Sequence, residues 1–147
     1  MGRYAGVFGP HAPEATYVAH DYAEQLFDTG EVELNYAVTG RSDKPVLLLI
    51  PGQSESWWGY EAVMPLLAEA GYHVVAPDQR GYGLTDKPDN ISAYSLAELC
   101  ADLVGLLDAL GIEKAIFVGH DWGGGVVWRM PLLYPDRVAG VVGGNTP

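Results

Sequence analysis

Polar and apolar residues alternate along Glu31-Val32-Glu33-Leu34-Asn35-Tyr36-Ala37-Val38, which predicts a strand with one solvated face at the edge of a sheet. Thr39 to Asp43 then reads as a turn. Four later runs differ in kind: Val46 to Ile50, His73 to Pro77, Ala115 to Gly119 and Val138 to Gly143 are short, aliphatic and almost free of polar residues. Strands buried on both faces read this way, so these four predict a parallel sheet covered by helices. The helices fall between them. Trp57 to Ala70 ends at Gly71, as a helix terminus does. In Ser95 to Leu110, Ser95 and Glu98 have capping-box spacing, Leu96, Leu99, Leu103, Leu106, Leu107 and Leu110 form one apolar stripe, and Gly111 stops it. A third helix runs from about residue 123 to Tyr134; Pro135 closes it and Pro131 should kink or break its last turn. The element order predicts an α/β fold: a doubly wound, mostly parallel sheet with helices on both faces and ligands at the carboxyl ends of the strands.

The chain has 147 residues and 48% apolar content, enough for one packed domain. Residues 1–20 read as an extended N-terminal arm containing Pro10 and Pro13, and residues 21–147 as the core domain. With 8 basic against 19 acidic residues the formal charge is −11, which repels phosphate backbones and anionic lipid and argues against nucleic-acid or membrane-surface binding. The longest apolar run, Val46 to Ile50, falls far short of the roughly 20 residues of a membrane helix. The N-terminus lacks the apolar stretch of a signal peptide, so the expected location is cytoplasmic. A lone cysteine, Cys100, makes neither an internal disulfide nor a cysteine-based metal site. Neither a metal nor a cofactor is expected.

The chemistry concentrates after the run Ala115 to Gly119, in Gly119-His120-Asp121-Trp122-Gly123-Gly124-Gly125. This is the layout of a nucleophile elbow, a strained strand-to-helix turn that needs small residues two before and two after its apex. Gly119 and Gly123 meet that need, and Asp121 is the apex. A carboxylate at a helix N-terminus is stabilised as the anion, ready to attack an electrophile. The plainer alternative makes Asp121 only a helix N-cap, which would not require the flanking glycines. Nucleotide binding is disfavoured because neither G-x-G-x-x-G nor G-x-x-x-x-G-K-[ST] spacing is present and an aspartate at the turn would repel phosphate.

The run Gly119 to Gly124, the segment Ala76-Pro77-Asp78-Gln79-Arg80-Gly81-Tyr82-Gly83 with Asp86-Lys87-Pro88 behind it, and the ending Asn145-Thr146-Pro147 together resemble the epoxide hydrolases of the α/β-hydrolase fold. Haloalkane dehalogenases are their near relatives. The resemblance covers residue 30 onward and implies a two-step hydrolysis of a small apolar electrophile. Asp121 would attack an epoxide carbon to form an alkyl-enzyme ester; a histidine oriented by an acid would then activate water, giving a diol. The oxyanion donors it implies are the backbone N–H groups of Trp122 and Gln53. Gln53 lies in the loop Pro51 to Trp57, which departs from the family's H-G-x-P pattern with Pro51 in place of histidine and Ser54 in place of proline. Its side-chain amide has two further readings: an ordinary turn residue, or a pocket amide of the kind that related dehalogenases use beside the elbow tryptophan to hold halide.

Asp78 and Arg80 read mainly as structural residues, His120 as a structural histidine, and Trp57, Trp58 and Trp128 as core or pocket wall. No histidine follows Asp121, and the only acid after it is Asp136. The expectation is therefore the N-terminal part of an α/β hydrolase, with cap, acid and histidine on a complementary C-terminal chain. Two alternatives stand beside it: a haloalkane dehalogenase-like hydrolase, and a non-catalytic binding homologue that keeps the elbow without the base.

Overall fold

A computed structural model describes residues 22–146; the expected arm, residues 1–20, lies outside them. Six strands form one sheet: β1 (Ala23–Asp28), β2 (Glu33–Thr39), β3 (Val46–Ile50), β4 (His73–Pro77), β5 (Ala115–His120) and β6 (Val138–Gly144). Their order is β1-β2-β4-β3-β5-β6. β1 and β2 pair antiparallel, as do β2 and β4, and the remaining neighbours are parallel.

Alternation along the central strands splits the core into two layers. Leu48 and Ile50 of β3, Val75 of β4 and Phe117 of β5 point to one face. There they meet Cys100, Leu103, Leu106 and Leu107 of α2 (Leu96–Ala109) and Val126, Val127 and Met130 of α3 (Trp122–Leu133). Leu47, Leu49, Val74 and Ala76 point the other way, onto Trp57 and Met64, the latter opening α1 (Met64–Glu69). Helices thus cover both faces of a mostly parallel sheet, as the buried runs predict.

Four expectations are corrected. The edge of the sheet is β1, not the strand at Glu31–Val38, because β2 lies between β1 and β4. The face of β2 expected to be wet is covered: Asn35 is fully buried, its backbone N–H donating to Thr85 Oγ1 at 2.9 Å and its side-chain amide to Asp78 Oδ2 at 3.0 Å. The helix expected over Trp57–Ala70 is two pieces, a 3-10 turn at Trp57–Tyr60 and α1. Pro65 sits in the first turn of α1, where a missing N–H costs nothing; a helix continuous from Trp57 would lose a hydrogen bond there and clash. β6 is the other edge, with Val142 56% exposed, so it lacks the two-sided burial its sequence suggests.

The long helix is as expected. Ser95 Oγ accepts the Glu98 N–H at 3.2 Å, and Gly111, just past the end, takes φ +67°. α3 continues only to Leu133, two residues beyond Pro131, and the Tyr134 N–H closes it onto the Met130 carbonyl at 2.7 Å. Among the described residues no helix is long and apolar enough to cross a membrane.

The topology also fixes where a ligand meets the chain. The crossover from β3 leads to β4 on one side, and the crossover from β4 passes over β3 to β5 on the other. The loops leaving β3 and β5 therefore diverge above a crevice at their carboxyl ends, the topological switch point of an open sheet.

Candidate active site

β5 ends at His120 and α3 starts at Trp122, so the whole reversal from strand to helix falls on Asp121. Its backbone takes φ 59° and ψ −126°, a conformation that costs a residue with a β-carbon about 1–3 kcal/mol. Two glycines make the turn possible by close approach. A β-carbon on Gly119 would collide with the Gly123 carbonyl, and one on Gly123 with the carbonyls of Ile50 and Pro51. The N-cap reading fails on geometry: Asp121 occupies the cap position, but its side chain caps no N–H of the first turn in the manner of an N-cap.

The carboxylate faces the loop after β3 instead. The Gln53 N–H donates to Asp121 Oδ2 at 3.2 Å, across 68 residues of chain, and the adjacent Trp122 N–H favours the ionised form of the same carboxylate. These two donors, Trp122 first and then Gln53, hold the Asp121 carboxyl below its ordinary value of 3.8, with help from the neighbouring His120. Asp121 is therefore an anion at neutral pH. The side chain of Gln53 does something else: its Oε1 accepts the indole N–H of Trp122 at 3.1 Å. The three residues singled out in the sequence, Asp121, Trp122 and Gln53, thus meet in one place.

The loop carrying Gln53 is a tight turn in which the Glu55 N–H donates to the Gly52 carbonyl at 3.2 Å. Ser54 takes φ +61°, which a proline ring locked near −65° does not adopt. The departure from H-G-x-P at this position is thus matched by a different backbone. Gly52 is required by contact: a β-carbon there would come within 2.9 Å of the Asp121 β-carbon.

Side chains from elsewhere fasten this loop. The amide Nε2 of Gln79 donates to the Pro51 carbonyl at 2.9 Å, and the Tyr60 hydroxyl donates to the Ile50 carbonyl at 2.8 Å. Sequence reasoning missed both. A hydrogen bond to a backbone carbonyl 28 residues away leaves no local spacing to find.

The other candidates serve the scaffold. Asp78 is buried and accepts the Trp57 N–H at 2.8 Å, the Leu84 N–H and the Asn35 amide; burial raises its pKa against those three hydrogen bonds. Arg80 donates twice to Asp102 of α2, both at 2.7 Å, and once to the Ala93 carbonyl. Asp136 lies before β6, at the amino ends of β5 and β6, the opposite end of the sheet from Asp121. His120 is exposed. Trp57 is buried, but Trp128, expected as core or pocket wall, is 51% exposed and lines an open groove with Trp122, Leu96 and Leu132. A cavity of about 310 Å³ adjoins the turn, bounded by Gln53, Gln79, Tyr82, Tyr94, Leu99 and Trp122.

Both loops of this site fall within residues 45–147, which match the known family described as the alpha/beta hydrolase fold. The chain belongs to the alpha/beta hydrolase fold family. Among alpha/beta hydrolases it is 50% identical over 124 residues to epoxide hydrolase A of Mycobacterium tuberculosis, an alignment covering 84% of this chain and 38% of that protein. It is 41% identical over 138 residues to bifunctional epoxide hydrolase 2 of Sus scrofa, covering 94% of this chain and 24% of that one. Among solved structures, epoxide hydrolase A from Mycobacterium thermoresistibile superposes with a TM-score of 0.81 at 48% identity, covering 84% of this chain and 39% of that one. The chain thus spans well under half the length of these relatives.

Proposed function

We propose that this chain carries the nucleophile of an epoxide hydrolase, with Asp121 as the attacking group. The observation that carries the reading is the convergence of two backbone N–H groups, from Gln53 and Trp122, on an ionised carboxylate held at a strained strand-to-helix turn. The names of the relatives support the substrate class.

Asp121 Oδ1 attacks a ring carbon, the carbon–oxygen bond of the epoxide breaks, and the ring oxygen takes a proton from an acid. An alkyl ester of Asp121 results. Water then gives up a proton to a base and adds to the ester carbonyl carbon. The negative charge that develops on Oδ2 lies where the Gln53 N–H already points, with the Trp122 N–H beside the same carboxylate, so these two serve as the oxyanion hole. On collapse the bond between the ester carbonyl carbon and Oδ1 breaks, the departing oxygen takes the proton of the added hydroxyl, the diol leaves with the carboxylate restored, and the proton on the base returns to the acid. The acid and the base come from residues other than those described, since no histidine follows Asp121 and Asp136 lies at the far end of the sheet. The proposal includes a C-terminal part that bears them. Epoxide is favoured over haloalkane by the names of the relatives.

The test is to mix the full-length protein with a small apolar epoxide, quench with acid and map covalent adducts by mass spectrometry. The epoxide mass is expected on the peptide containing Asp121. In Asp121→Ala both adduct and diol formation are lost, the latter by several orders of magnitude. An adduct on another residue, or none alongside normal turnover, would contradict the assignment.

A further inference from the structure

The loop that presents the Gln53 N–H is tied within itself between Gly52 and Glu55, and the two residues before Gly52 are tied from outside it. Pro51 has no backbone N–H, so its carbonyl is the one main-chain hydrogen-bonding group at that position. That carbonyl is taken by Gln79, and the carbonyl of Ile50, one residue earlier, is taken by Tyr60. Two carbonyls in succession are thus fixed by side chains from two separate parts of the fold. The N–H of Gly52, one residue later, donates to Glu55 Oε2 at 3.1 Å.

We infer that Gln79 is a positioning residue for the oxyanion hole, aiming the Gln53 N–H at Asp121 through the Pro51 carbonyl, with Tyr60 as the second anchor. Gln79 is 7% exposed and stands between two immobilised neighbours: Asp78, which accepts hydrogen bonds from Trp57, Leu84 and Asn35, and Arg80, clamped by Asp102. The amide therefore projects from a rigid base. Its Oε1 is buried with no hydrogen-bond partner. A buried bare oxygen is unfavourable, and methionine or leucine would fill similar space without one, so the amide is explained by the work of its N–H. The reversed amide would set Oε1 against the Pro51 carbonyl, which fixes the orientation.

This inference rests on the proposed hydrolase reading for its kinetic consequence but not for its geometry. Oxyanion donors act on the tetrahedral intermediate of ester hydrolysis, after the epoxide has opened. Loosening the loop therefore slows the second step, while Asp121 stays ionised at neutral pH for the first because the Trp122 N–H, the larger cause of its lowered pKa, is unaffected.

Two measurements on full-length Gln79→Met test it, with Tyr60→Phe as a milder disturbance of the other anchor. The first is amide hydrogen exchange at Gln53. The variant is expected to exchange roughly tenfold faster there, the size of one lost neutral hydrogen bond, while Leu49 and Met130 amides keep their rates. The second is steady-state kinetics with an epoxide. Here kcat is expected to fall roughly 10- to 100-fold and KM to fall with it, leaving kcat/KM unchanged, while the aspartyl ester accumulates in quenched samples. Unchanged Gln53 exchange overturns the inference, as does a loss of kcat/KM that matches the loss of kcat. Should Gln79→Met not fold, the same pair of results in Tyr60→Phe decides. If the wild-type protein forms no ester with epoxides, the hydrolase reading falls, and the exchange measurement still decides whether Gln79 and Tyr60 aim the loop.

Discussion

Asp121 shows how one position can be set apart from its neighbours by backbone geometry and two hydrogen bonds. Its left-handed turn is stored strain, and the N–H groups of Trp122 and Gln53 hold its carboxyl ionised. The sign of the pH effect follows. A depressed folded-state pKa contributes stability above the unfolded value and loses it as pH falls through the folded value. The rate of Asp121 alkylation by an epoxide should stay flat as pH is lowered to about 4, and drop only below the ordinary value of 3.8. A midpoint at or above that value in a pH series of ester formation would contradict the account. Cys100 is the opposite case. Burial pushes its thiol up to about 11, offset only partly by Arg129. It should resist thiol reagents at neutral pH in the folded protein and react once denatured, which a timed labelling assay with and without urea will show. Asp121 was legible in the sequence because a tight turn demands glycines at fixed offsets, whereas Trp122 and Gln53 were expected only from the resemblance to epoxide hydrolases. Gln79 and Tyr60 were not legible, because their partners are backbone carbonyls, which carry no sequence signature.

At the level of elements, the fold is held around the site by ties that run between loops and helices. Arg80, in the loop after β4, is 2% exposed and forms a two-pronged pair with Asp102 of α2, which raises the pKa of the guanidinium, while burial raises that of Asp102 against the same hydrogen bonds. Removing one partner leaves an uncompensated buried charge. Asp102→Ala should destabilise the protein by about 3–5 kcal/mol, read from the midpoint of urea unfolding. A change under about 1 kcal/mol would mean that Glu31, 3.6 Å from the guanidinium, compensates. The central strands and α2 could be read directly, since runs of five apolar residues bounded by turn residues are too short for helices and a stripe of leucines at helical spacing fits no strand. β1 could not: Ala-Glu-Gln-Leu-Phe-Asp has adjacent polar residues and no clean alternation, and its strand character comes from pairing with β2. The solvated face expected of β2 was lost for a related reason, because the loop at 78–86 folds over it.

For the whole molecule, a doubly wound sheet puts the loops after β3 and β5 side by side, and from that alone a site spanning Gln53 and Asp121 follows. The fold class was contained in the order of the runs; the strand order that sets the loops of β3 and β5 side by side was not. Nor was the apolar surface of α3 and β6. Trp128, Leu132 and Val142 are each more than half exposed, in a chain that covers 38% of epoxide hydrolase A of Mycobacterium tuberculosis. The central claim is that Asp121 forms an ester that water opens at its carbonyl carbon. The most direct test is a single turnover in heavy-oxygen water, with full-length protein in excess over the epoxide. The account predicts that the diol leaves without label and that the peptide containing Asp121 gains one heavy oxygen. Label in the diol and none on Asp121 would mean that water attacks the epoxide itself and that the carboxylate is not the nucleophile.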